Sequence, residues 1–433
     1  MIKFLHRILA YFARRVIKKY NPLVIGVTGS VGKSSIKEVI YTILKDNFNL
    51  RRSLKNYNNE IGLPLTIFGS LSPCKNIIGW INTIFHVGKI LLFRVNYPEI
   101  LILEMAADHP GDIQYLVNIA PVKIGVITAV GLTHIEFFKN INSVAREKQI
   151  LVKGLKKENW AILNIDDENV RAMSDKTSAQ ILTFGLSEKA DVQATEIQLD
   201  QELLDDGVSR IKGLTFKVKY KGSVVPAFLP KTISQAQIYS ALGAIAVCLV
   251  LGLNLIDIIK NLSKYKSLPG RLNMIQGIRG TLLLDDTYNS SPQAVKFSLI
   301  SLDKIEIISR ARKWVVLGDM LELGELSARA HQGIGREVSK IKPDYLVVVG
   351  KEAQKIAEGA QNSGLQSQKI FSFPNALEAG DFLQSKIHKG DVILIKGSQG
   401  IRLEKIVKKI MLKPEQAKKI LVRQNKEWMN WLL

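Results

Sequence analysis

The side chains best suited to chemistry lie in a glycine-rich segment close to the start of the chain. Residues 24–35 read VIGVTGSVGKSS, so an apolar strand leads into a glycine-rich turn and then into a helix. Backbone N–H groups of such a turn can surround a polyphosphate, and the helix N-terminus adds the positive end of its dipole. Lys33 would reach the outer phosphates, and the Ser34 hydroxyl would bind the accompanying Mg²⁺. The pattern predicts a nucleoside triphosphate site formed by Gly29, Ser30, Gly32, Lys33, Ser34 and Ser35.

Two more residues capable of metal or acid–base chemistry follow the next predicted strands. Glu104 ends the apolar run ILILE at 100–104, where its carboxylate would lie beside the phosphate loop and hold Mg²⁺ directly or through water. His134 lies in the loop after the apolar run at 124–128. A histidine at the carboxyl end of a parallel strand, beside a phosphate loop and a carboxylate, is predicted to be a ligand or a catalytic group. The alternative is a structural histidine, as loop histidines commonly are.

Short apolar runs that alternate with helical patterns must position these residues. Five such runs are the predicted strands of a first sheet: 23–28, 100–104, 124–128, 161–163 and 181–184. Their continuous apolar character is typical of a parallel sheet covered by helices on both faces. The more charged and alternating pattern between 190 and 228 predicts an antiparallel extension of that sheet.

A second series of apolar runs follows a turn at 268–270. Its predicted strands are 282–285, 314–317, 345–349 and 392–395. Helical patterns separate them, so the fold class is α/β, with a P-loop-type central parallel sheet domain followed by a Rossmann-like C-terminal domain. We expect a basic amphipathic helix at 1–22, a central nucleotide-binding domain at 23–267 and a C-terminal domain at 268–433. The last of these is expected to end in a charged helix from Pro414 onward.

The composition limits the classes of partner. The 433 residues carry a formal net charge of +21 and two cysteines, Cys74 and Cys248. Two isolated cysteines give no disulfide framework, which fits a reducing cytoplasm. The sequence contains no recognisable nucleic-acid-binding module, so the charge favours an anionic membrane surface or anionic substrates over nucleic acid.

Two segments are candidates for peripheral contact with a membrane. Residues 2–20 predict a basic amphipathic helix, with apolar residues at three- and four-residue spacing. Residues 77–93 are apolar but are interrupted by Asn82, His86 and Lys89, and they are too short to span a bilayer, which needs about 20 apolar residues. Each helix would either lie in the plane of the inner membrane surface or pack against the rest of the protein.

A series of motifs in fixed order resembles the Mur ligase family of ATP-dependent amide-bond ligases. The phosphate loop has that family's form Gly-x-Thr-Gly-x-x-Gly-Lys between Gly26 and Lys33, with its first glycine one place earlier than in the Walker spacing. The other motifs are NYNNEIGLP at 56–64, EMAADHPGDI at 104–113, LNIDD at 163–167, PGR at 269–271, DDTYNSSP at 285–292, LGDMLELG at 317–324 and KGS at 396–398.

The resemblance is strongest to the members that add D-alanyl-D-alanine, and it implies a function in peptidoglycan precursor synthesis. ATP and Mg²⁺ would be the cofactors, and a UDP-linked muramoyl peptide and D-alanyl-D-alanine would be the substrates. The peptide carboxylate would attack the γ-phosphoryl group of ATP. The amine of the dipeptide would then attack the resulting acyl phosphate, and phosphate would leave.

The resemblance also implies roles for individual residues. The catalytic residues would be Lys33, His134, Lys148 and Arg271. Binding of ATP would involve, besides the phosphate loop, Tyr288, Asn289, Pro292 and Asp319. The Mg²⁺ ligands would be Ser34, Glu104, His134 and, as a carbamate, Lys148. Contacts to the substrate would come from Asn58, Asn59 and Lys396. For Lys148 the alternative is a plain surface lysine.

Four differences from the family pattern affect the substrate side more than the ATP side. The uridine-binding domain that normally precedes the phosphate loop is expected to be missing. The segment 234–240 reads SQAQIYS where the family has a Gly-Arg-His-Asn-type stretch, Ala129 replaces an asparagine, and Ile150 replaces an acidic residue. Two alternatives therefore remain open: a Mur-type ligase with a different or membrane-bound substrate, and a membrane-associated nucleotide-binding protein with little ligase activity.

Overall fold

Two β-sheets, each flanked by helices, organise the protein. The structure is a computed structural model, and it describes residues 2–54, 57–74, 76–133, 135–203, 209–308, 310–425 and 428. The first sheet contains the strand that leads into the phosphate loop, and the second sheet is formed by residues beyond 272.

The first sheet is mainly parallel. Its strands are β1 Leu23–Thr28, β2 Leu50–Arg52, β3 Ile100–Glu104, β4 Ile124–Ile127, β5 Trp160–Asn164, β6 Gln180–Gly185, β7 Val192–Leu203, β8 Ser209–Tyr220 and β9 Ser223–Pro230. They are ordered β2-β3-β1-β4-β5-β6-β7-β8-β9. The strands from β2 to β7 pair in parallel, whereas β8 and β9 extend the sheet as an antiparallel hairpin.

Helices cover both faces of this sheet. They are α1 Ile2–Tyr20, α2 Lys33–Leu44, α3 Gly62–Phe68, α4 Ile77–Leu92, α5 Asp112–Ile119, α6 Ile135–Phe138, α7 Ile141–Lys153, α8 Glu168–Arg171, α9 Gln235–Val250 and α10 Leu255–Leu262. Alternate residues of β1 therefore enter two different cores: Ile25 and Val27 pack with α2 and α9, while Val24 packs on the opposite face with α1 and α3. This two-sided burial explains why the strand reads as a continuous apolar run.

The second sheet has one antiparallel edge strand beside five parallel strands. Its strands are β10 Asn273–Gln276, β11 Leu282–Asp286, β12 Lys313–Gly318, β13 Tyr345–Val349, β14 Ile370–Phe373 and β15 Val392–Lys396, in the order β10-β11-β15-β12-β13-β14. The helices of this part are α11 Pro292–Asp303, α12 Ser327–Ile341, α13 Gln354–Gln361, α14 Ala376–Lys386, α15 Glu404–Ile410 and α16 Ala417–Ile420. Strand β10 runs antiparallel to β11, and the other pairs are parallel.

The α/β class and the two-sheet architecture expected from the sequence are confirmed. The helix at 2–20, the helix at 77–93 and the antiparallel extension are present as well. Three strands were not predicted, namely β2, β10 and β14. All three lie at sheet edges, where a strand is short and has fewer buried side chains, so its apolar signal is weak.

The charged helix expected from Pro414 onward is wrong for the described residues. A single 3₁₀ turn at Pro414–Gln416 and the four-residue α16 replace it. Beyond α16 the backbone turns at Arg423, whose φ of +56° is left-handed. Its guanidinium donates to the carbonyl of Tyr288 at 2.9 Å. Long-range contacts of this kind override the local helical pattern.

Helix α1 packs on α3, α4 and α5. Lys19 lies in the last turn of α1, and its ammonium donates to the carbonyls of Ile90, Leu91 and Phe93 at 2.9, 3.0 and 2.6 Å. These carbonyls belong to the C-terminal end of α4, where a cation is favoured by the helix dipole. Within the described residues, no helix is both long enough and apolar enough to cross a membrane.

We expect Lys19→Met to lower the free energy of unfolding by about 1 kcal/mol, because three carbonyls lose a charged donor that is partly exposed to water. Urea unfolding of the full chain measures this. The matched control is Lys18→Met at the neighbouring exposed position, which should change stability by less than about 0.5 kcal/mol. Equal losses in the two variants would contradict the capping role of Lys19.

Candidate active site

The phosphate loop connects β1 to α2 through two glycines with left-handed φ. Gly29 has φ +144°, and a Cβ built there would lie 1.9 Å from the Thr128 hydroxyl oxygen. Gly32, with φ +91°, precedes α2, and it leaves the first N–H groups of α2 without a side-chain cap. Ser30 anchors the loop, since its N–H donates to the carbonyl of Ala129 at 2.7 Å. The resulting shape is a cradle for an anion.

Lys33 lies at the first position of α2 and lines the cleft above the loop. Its ammonium donates to the carbonyl of Gly29 at 2.6 Å. Burial lowers the pKa of Lys33, and Glu104 opposes this by favouring the charged form. An incoming phosphate would provide a second anionic partner for the same ammonium.

Glu104 is the centre of the polar network beside the loop. Its side chain is 3% exposed, and one carboxylate oxygen, Oε1, accepts from the Ser34 hydroxyl and the Asn58 amide, each at 3.1 Å. Burial by itself would raise the pKa of Glu104, but the charges of Lys37, Lys33 and Arg271 outweigh it, so the pKa is lowered. Glu104 is therefore a carboxylate.

Lys37, which was not among the predicted site residues, pairs with Glu104. Its side chain is 2% exposed, and its ammonium lies 3.4 Å from Glu104 Oε2 and donates to the carbonyl of Ser53 at 2.8 Å. The sequence spacing could have indicated this position. Lys37 follows Lys33 by four residues and Ser34 by three, so it shares their face of α2.

Arg271 precedes the second sheet and contacts the end of the phosphate loop from the C-terminal side of the cleft. Its guanidinium donates to the Ser34 hydroxyl at 3.1 Å and lies 4.2 Å from the ring centroid of Tyr288. The neighbouring Gly270 has φ +66°, and its carbonyl accepts from the N–H of Tyr288 at 3.0 Å. Arg271 is thus fixed between the two domains.

Asn289 and Lys396 lie on the C-terminal wall of the cleft. The Lys396 ammonium is 2.7 Å from the carboxylate of Asp286 and donates to the carbonyl of Asn289 at 2.9 Å. Lys396 therefore holds the loop after β11 in place.

Among the described residues, five of the predicted site residues do not line the cleft: Gly29, Asn59, Lys148, Pro292 and Asp319. The side-chain oxygen of Asn59 accepts from the N–H of Gly62 at the start of α3. Pro292 forms the first turn of α11. Asp319 accepts from the N–H of Ala353 at 2.7 Å, and burial raises its pKa.

Lys148 lies on α7 and is 3% exposed, so it is not a plain surface lysine. Burial, followed by the charge of Lys33, lowers its pKa to about 7. The preceding residue, Glu147, accepts from the N–H groups of Gly111 and Ile113, each at 2.8 Å, and so fixes the loop that carries Asp108. The expected ligand His134 lies outside the described residues.

The cleft between the domains has a volume of about 530 Å³. The phosphate loop, Glu104 and Asn58 form one side, and Arg271, Tyr288, Asn289 and Lys396 form the other. A second cavity of about 310 Å³ shares Val31, Gly32, Ala236, Ser240 and Phe297 with it. Its wall also includes Asn164 and Tyr239, which were not among the predicted site residues. Asn164 follows a predicted strand and lies at the carboxyl end of β5, where parallel sheets commonly bind ligands, so its position could have indicated this cavity.

The donor set fits Mg²⁺. Ser34 Oγ and Glu104 Oε1 lie 3.1 Å apart, and Glu104 Oε2 is buried without a hydrogen bond. No group of three or more His, Cys, Asp or Glu side chains able to hold a metal lies in the described part of the chain. A hydroxyl and one carboxylate suit Mg²⁺, which commonly takes few protein ligands and completes its shell with phosphate and water.

Comparison with known proteins agrees with this geometry. The sequence profile of the Mur ligase middle domain matches residues 27–248, and the profile described as Mur ligase, glutamate ligase domain matches residues 270–399. The chain belongs to the Mur ligase family. The expected enzyme class, an ATP-dependent ligase, is confirmed by these matches and by the relatives.

Three similar proteins illustrate the relationship. The UDP-N-acetylmuramoyl-tripeptide–D-alanyl-D-alanine ligase of Bacillus subtilis is 29% identical over 406 residues, covering 94% of this chain and 79% of that protein. The protein of the same name from Synechocystis is 31% identical over 400 residues, covering 91% and 76%. The crystal structure of the MurF ligase of Thermotoga maritima in complex with ADP matches with a TM-score of 0.76 and 28% identity, covering 95% of this chain and 84% of that one.

We expect the stability of the wild type relative to Lys148→Met to rise with pH. The pKa of Lys148 is about 7 in the folded protein against an ordinary value of 10.5, so the unfolded chain binds more protons between these pH values. Between about pH 7 and pH 9 the wild type should gain about 2 kcal/mol on the variant. Urea unfolding of both proteins in CO₂-free buffer measures the difference. A difference that does not change with pH would contradict a buried, neutral Lys148.

We expect Glu104→Gln to lower the free energy of unfolding by about 2 kcal/mol, because the buried Lys37 ammonium loses its nearer carboxylate and keeps only that of Glu38, at 3.6 Å. The double variant Glu104→Gln/Lys37→Met should recover more than half of this loss. The matched control is Glu99→Gln at the exposed residue before β3, expected within about 0.5 kcal/mol of the wild type. Urea unfolding of the wild type, Glu104→Gln, Lys37→Met and the double variant gives the coupling, and additive effects would exclude it.

Proposed function

We propose that this protein joins a UDP-linked muramoyl tripeptide to D-alanyl-D-alanine, with ATP as the activating substrate and Mg²⁺ as the metal. The supporting observation is the meeting of the phosphate loop and Glu104 with Arg271 across one cleft, in a chain whose relatives bear that activity in their names. ATP and nucleotide-linked precursors are cytoplasmic, so we infer that the reaction takes place there.

In this mechanism the phosphate loop and Lys33 bind the β- and γ-phosphates. Mg²⁺ held by Ser34 and Glu104 would neutralise charge on the phosphate oxygens. A carboxylate oxygen of the peptide forms a bond to the γ-phosphorus while the bond to the β-γ bridging oxygen breaks, giving an acyl phosphate and ADP. Lys33 and Arg271 stabilise the charge on the transferred group, and Arg271 does so from the other domain.

The second step needs a water-free site. The dipeptide amine attacks the acyl carbon, the bond to the phosphate oxygen breaks, and inorganic phosphate leaves as the amine loses its proton. Water would compete for the same acyl phosphate, so the cleft must close around it. Leu272, with φ +56°, and Gly270 flank Arg271 at the junction of the two domains, where such a closure would pivot.

Lys148 and Asn58 complete the proposed site. The nitrogen of a neutral Lys148 amine can form a bond to the carbon of CO₂ and release a proton to solvent, which gives an anionic carbamate, and the lowered pKa provides the neutral amine near pH 7. The carbamate oxygen would then be a further Mg²⁺ ligand, as would His134. We place Asn58 beside the substrate because its amide reaches Glu104 from the cleft wall. For ATP we retain Tyr288 and Asn289 as contacts from the C-terminal domain.

The proposal predicts that ADP release requires four components together: ATP, Mg²⁺, the UDP-linked tripeptide and D-alanyl-D-alanine. Mass spectrometry of the product should show the pentapeptide. ADP release with ATP and Mg²⁺ that neither organic substrate accelerates would overturn these substrates.

Lys33→Met tests the site within the same assay. We expect kcat/KM to fall by about 100-fold or more, because the transferred phosphoryl group loses a cation. The matched control is Lys45→Met at the exposed end of α2, which should retain full activity.

A further inference from the structure

Helix α4 exposes a continuous set of large apolar side chains. We define the α4 strip as Ile77, Ile78, Ile81, Ile84, Phe85 and Leu92. Phe85 is 70% exposed and Leu92 is 80% exposed, and Phe93 just beyond the helix is 63% exposed. Single exposed apolar residues are ordinary on protein surfaces, whereas a contiguous group on one helix marks an interaction site.

The α4 strip belongs to a well-anchored helix. Thr83, Val87 and Ile90 are buried on the opposite face. Asn76 caps the first turn by accepting from the N–H of Gly79 at 3.2 Å. The ring of His86 is hydrogen-bonded to the carbonyl of Phe68 at 3.1 Å. One face of α4 is therefore packed against the rest of the protein, and the α4 strip on the other face is exposed to solvent and accessible to a binding partner.

The two segments that carry the strip and α1 contain basic residues and no acidic ones. Residues 1–37 and residues 61–98 contain no aspartate or glutamate. Exposed basic residues of α1 include Arg7, Arg14, Arg15, Lys18 and Lys19. Lys89 and Arg94 are exposed within and just after α4.

The apolar and basic surfaces meet. The Lys19 ammonium contacts the carbonyl of Phe93 at 2.6 Å, so the basic end of α1 lies against the apolar end of α4. Phe4 and Tyr11 add exposed aromatic groups on α1, at 69% and 49% exposure. Apolar and aromatic side chains bordered by cations match the boundary between lipid tails and anionic headgroups.

We propose that the α4 strip, with the basic face of α1, docks this protein on the surface of an anionic lipid bilayer. Helix α4 is about 24 Å long and is too short and too polar on one side to span the hydrocarbon core, so it lies in the plane of the membrane. A second copy of the chain is the competing occupant. A two-fold contact through this face would place the same basic residues opposite each other, in subunits that each carry a net charge of +21.

Vesicle flotation of the full chain tests the proposal. We expect the protein to float with vesicles that contain phosphatidylglycerol, and to bind phosphatidylcholine vesicles much less. Arg7→Gln/Arg14→Gln/Lys18→Gln should lower the partition coefficient by roughly 100-fold at low salt, since each surface cation contributes about five-fold. Ile81→Asp/Phe85→Asp should lower it at least as much, because two large apolar groups no longer enter the bilayer.

Matched controls separate the surface from charge and hydrophobicity in general. Lys413→Gln/Lys418→Gln/Lys419→Gln removes the same charge from exposed positions of the C-terminal domain. Ile256→Asp/Leu377→Asp removes apolar side chains that are 65% and 58% exposed elsewhere. Both controls should bind like the wild type. Urea midpoints verify that all variants are folded.

Three results would overturn the proposal. The first is that the wild type does not float with anionic vesicles, and the second is that the controls lose as much binding as the α1 and α4 variants. The third is that light scattering shows a dimer that Ile81→Asp/Phe85→Asp dissociates, which would assign the strip to a second copy. Because none of these variants alters the cleft, ADP release remains a separate readout of the ligase proposal.

Discussion

The site depends on keeping one carboxylate charged inside the protein. Glu104 ends a buried central strand, where an isolated anion would be strongly unfavourable. Lys37, Lys33 and Arg271 offset that cost, and they come from α2 and from the junction with the second domain. The same helix, α2, carries Lys37 beside Glu104 and places Lys33 and Ser34 at the proposed phosphate site. One stretch of helix thus neutralises the buried carboxylate and lines the cleft.

Neither domain forms the site by itself. The phosphate loop belongs to the first sheet, whereas Arg271 and Lys396 approach from the second. Arg423 donates to the carbonyl of Tyr288 and so fixes the loop that carries it. Glu404 in turn forms ion pairs with Arg423 and Arg402. Arg402, Glu404 and Arg423 therefore support the C-terminal wall of the cleft. Such a division suits a reaction whose acyl phosphate must be shielded from water, since closing the cleft assembles the cations and excludes solvent together.

Much of the fold and part of the site could be predicted from the sequence. Central strands such as β1 and β3 bury both faces, so their apolar runs identify them without a partner. Gly29, Gly32, Lys33 and Ser34 are adjacent in the chain, and their spacing alone indicates a phosphate site. The edge strands β2, β10 and β14 have little buried surface and left a weak signal. Asn59, Pro292 and Asp319 belong to recognisable motifs, yet a motif does not say which of its side chains faces the cleft.

The sequence by itself determined the phosphate loop, the alternation of strands and helices, and the absence of acidic residues in 1–37 and 61–98. These are local properties, set by glycine conformation, hydrophobic periodicity and charge. Tertiary structure alone decided that Lys148 is buried with a pKa of about 7, that Lys37 faces Glu104, and that Arg271 reaches Ser34. It also decided that α4 keeps an apolar face exposed next to the cations of α1. Burial and pairing depend on which distant segments meet, and that information is not contained in any one stretch of the chain.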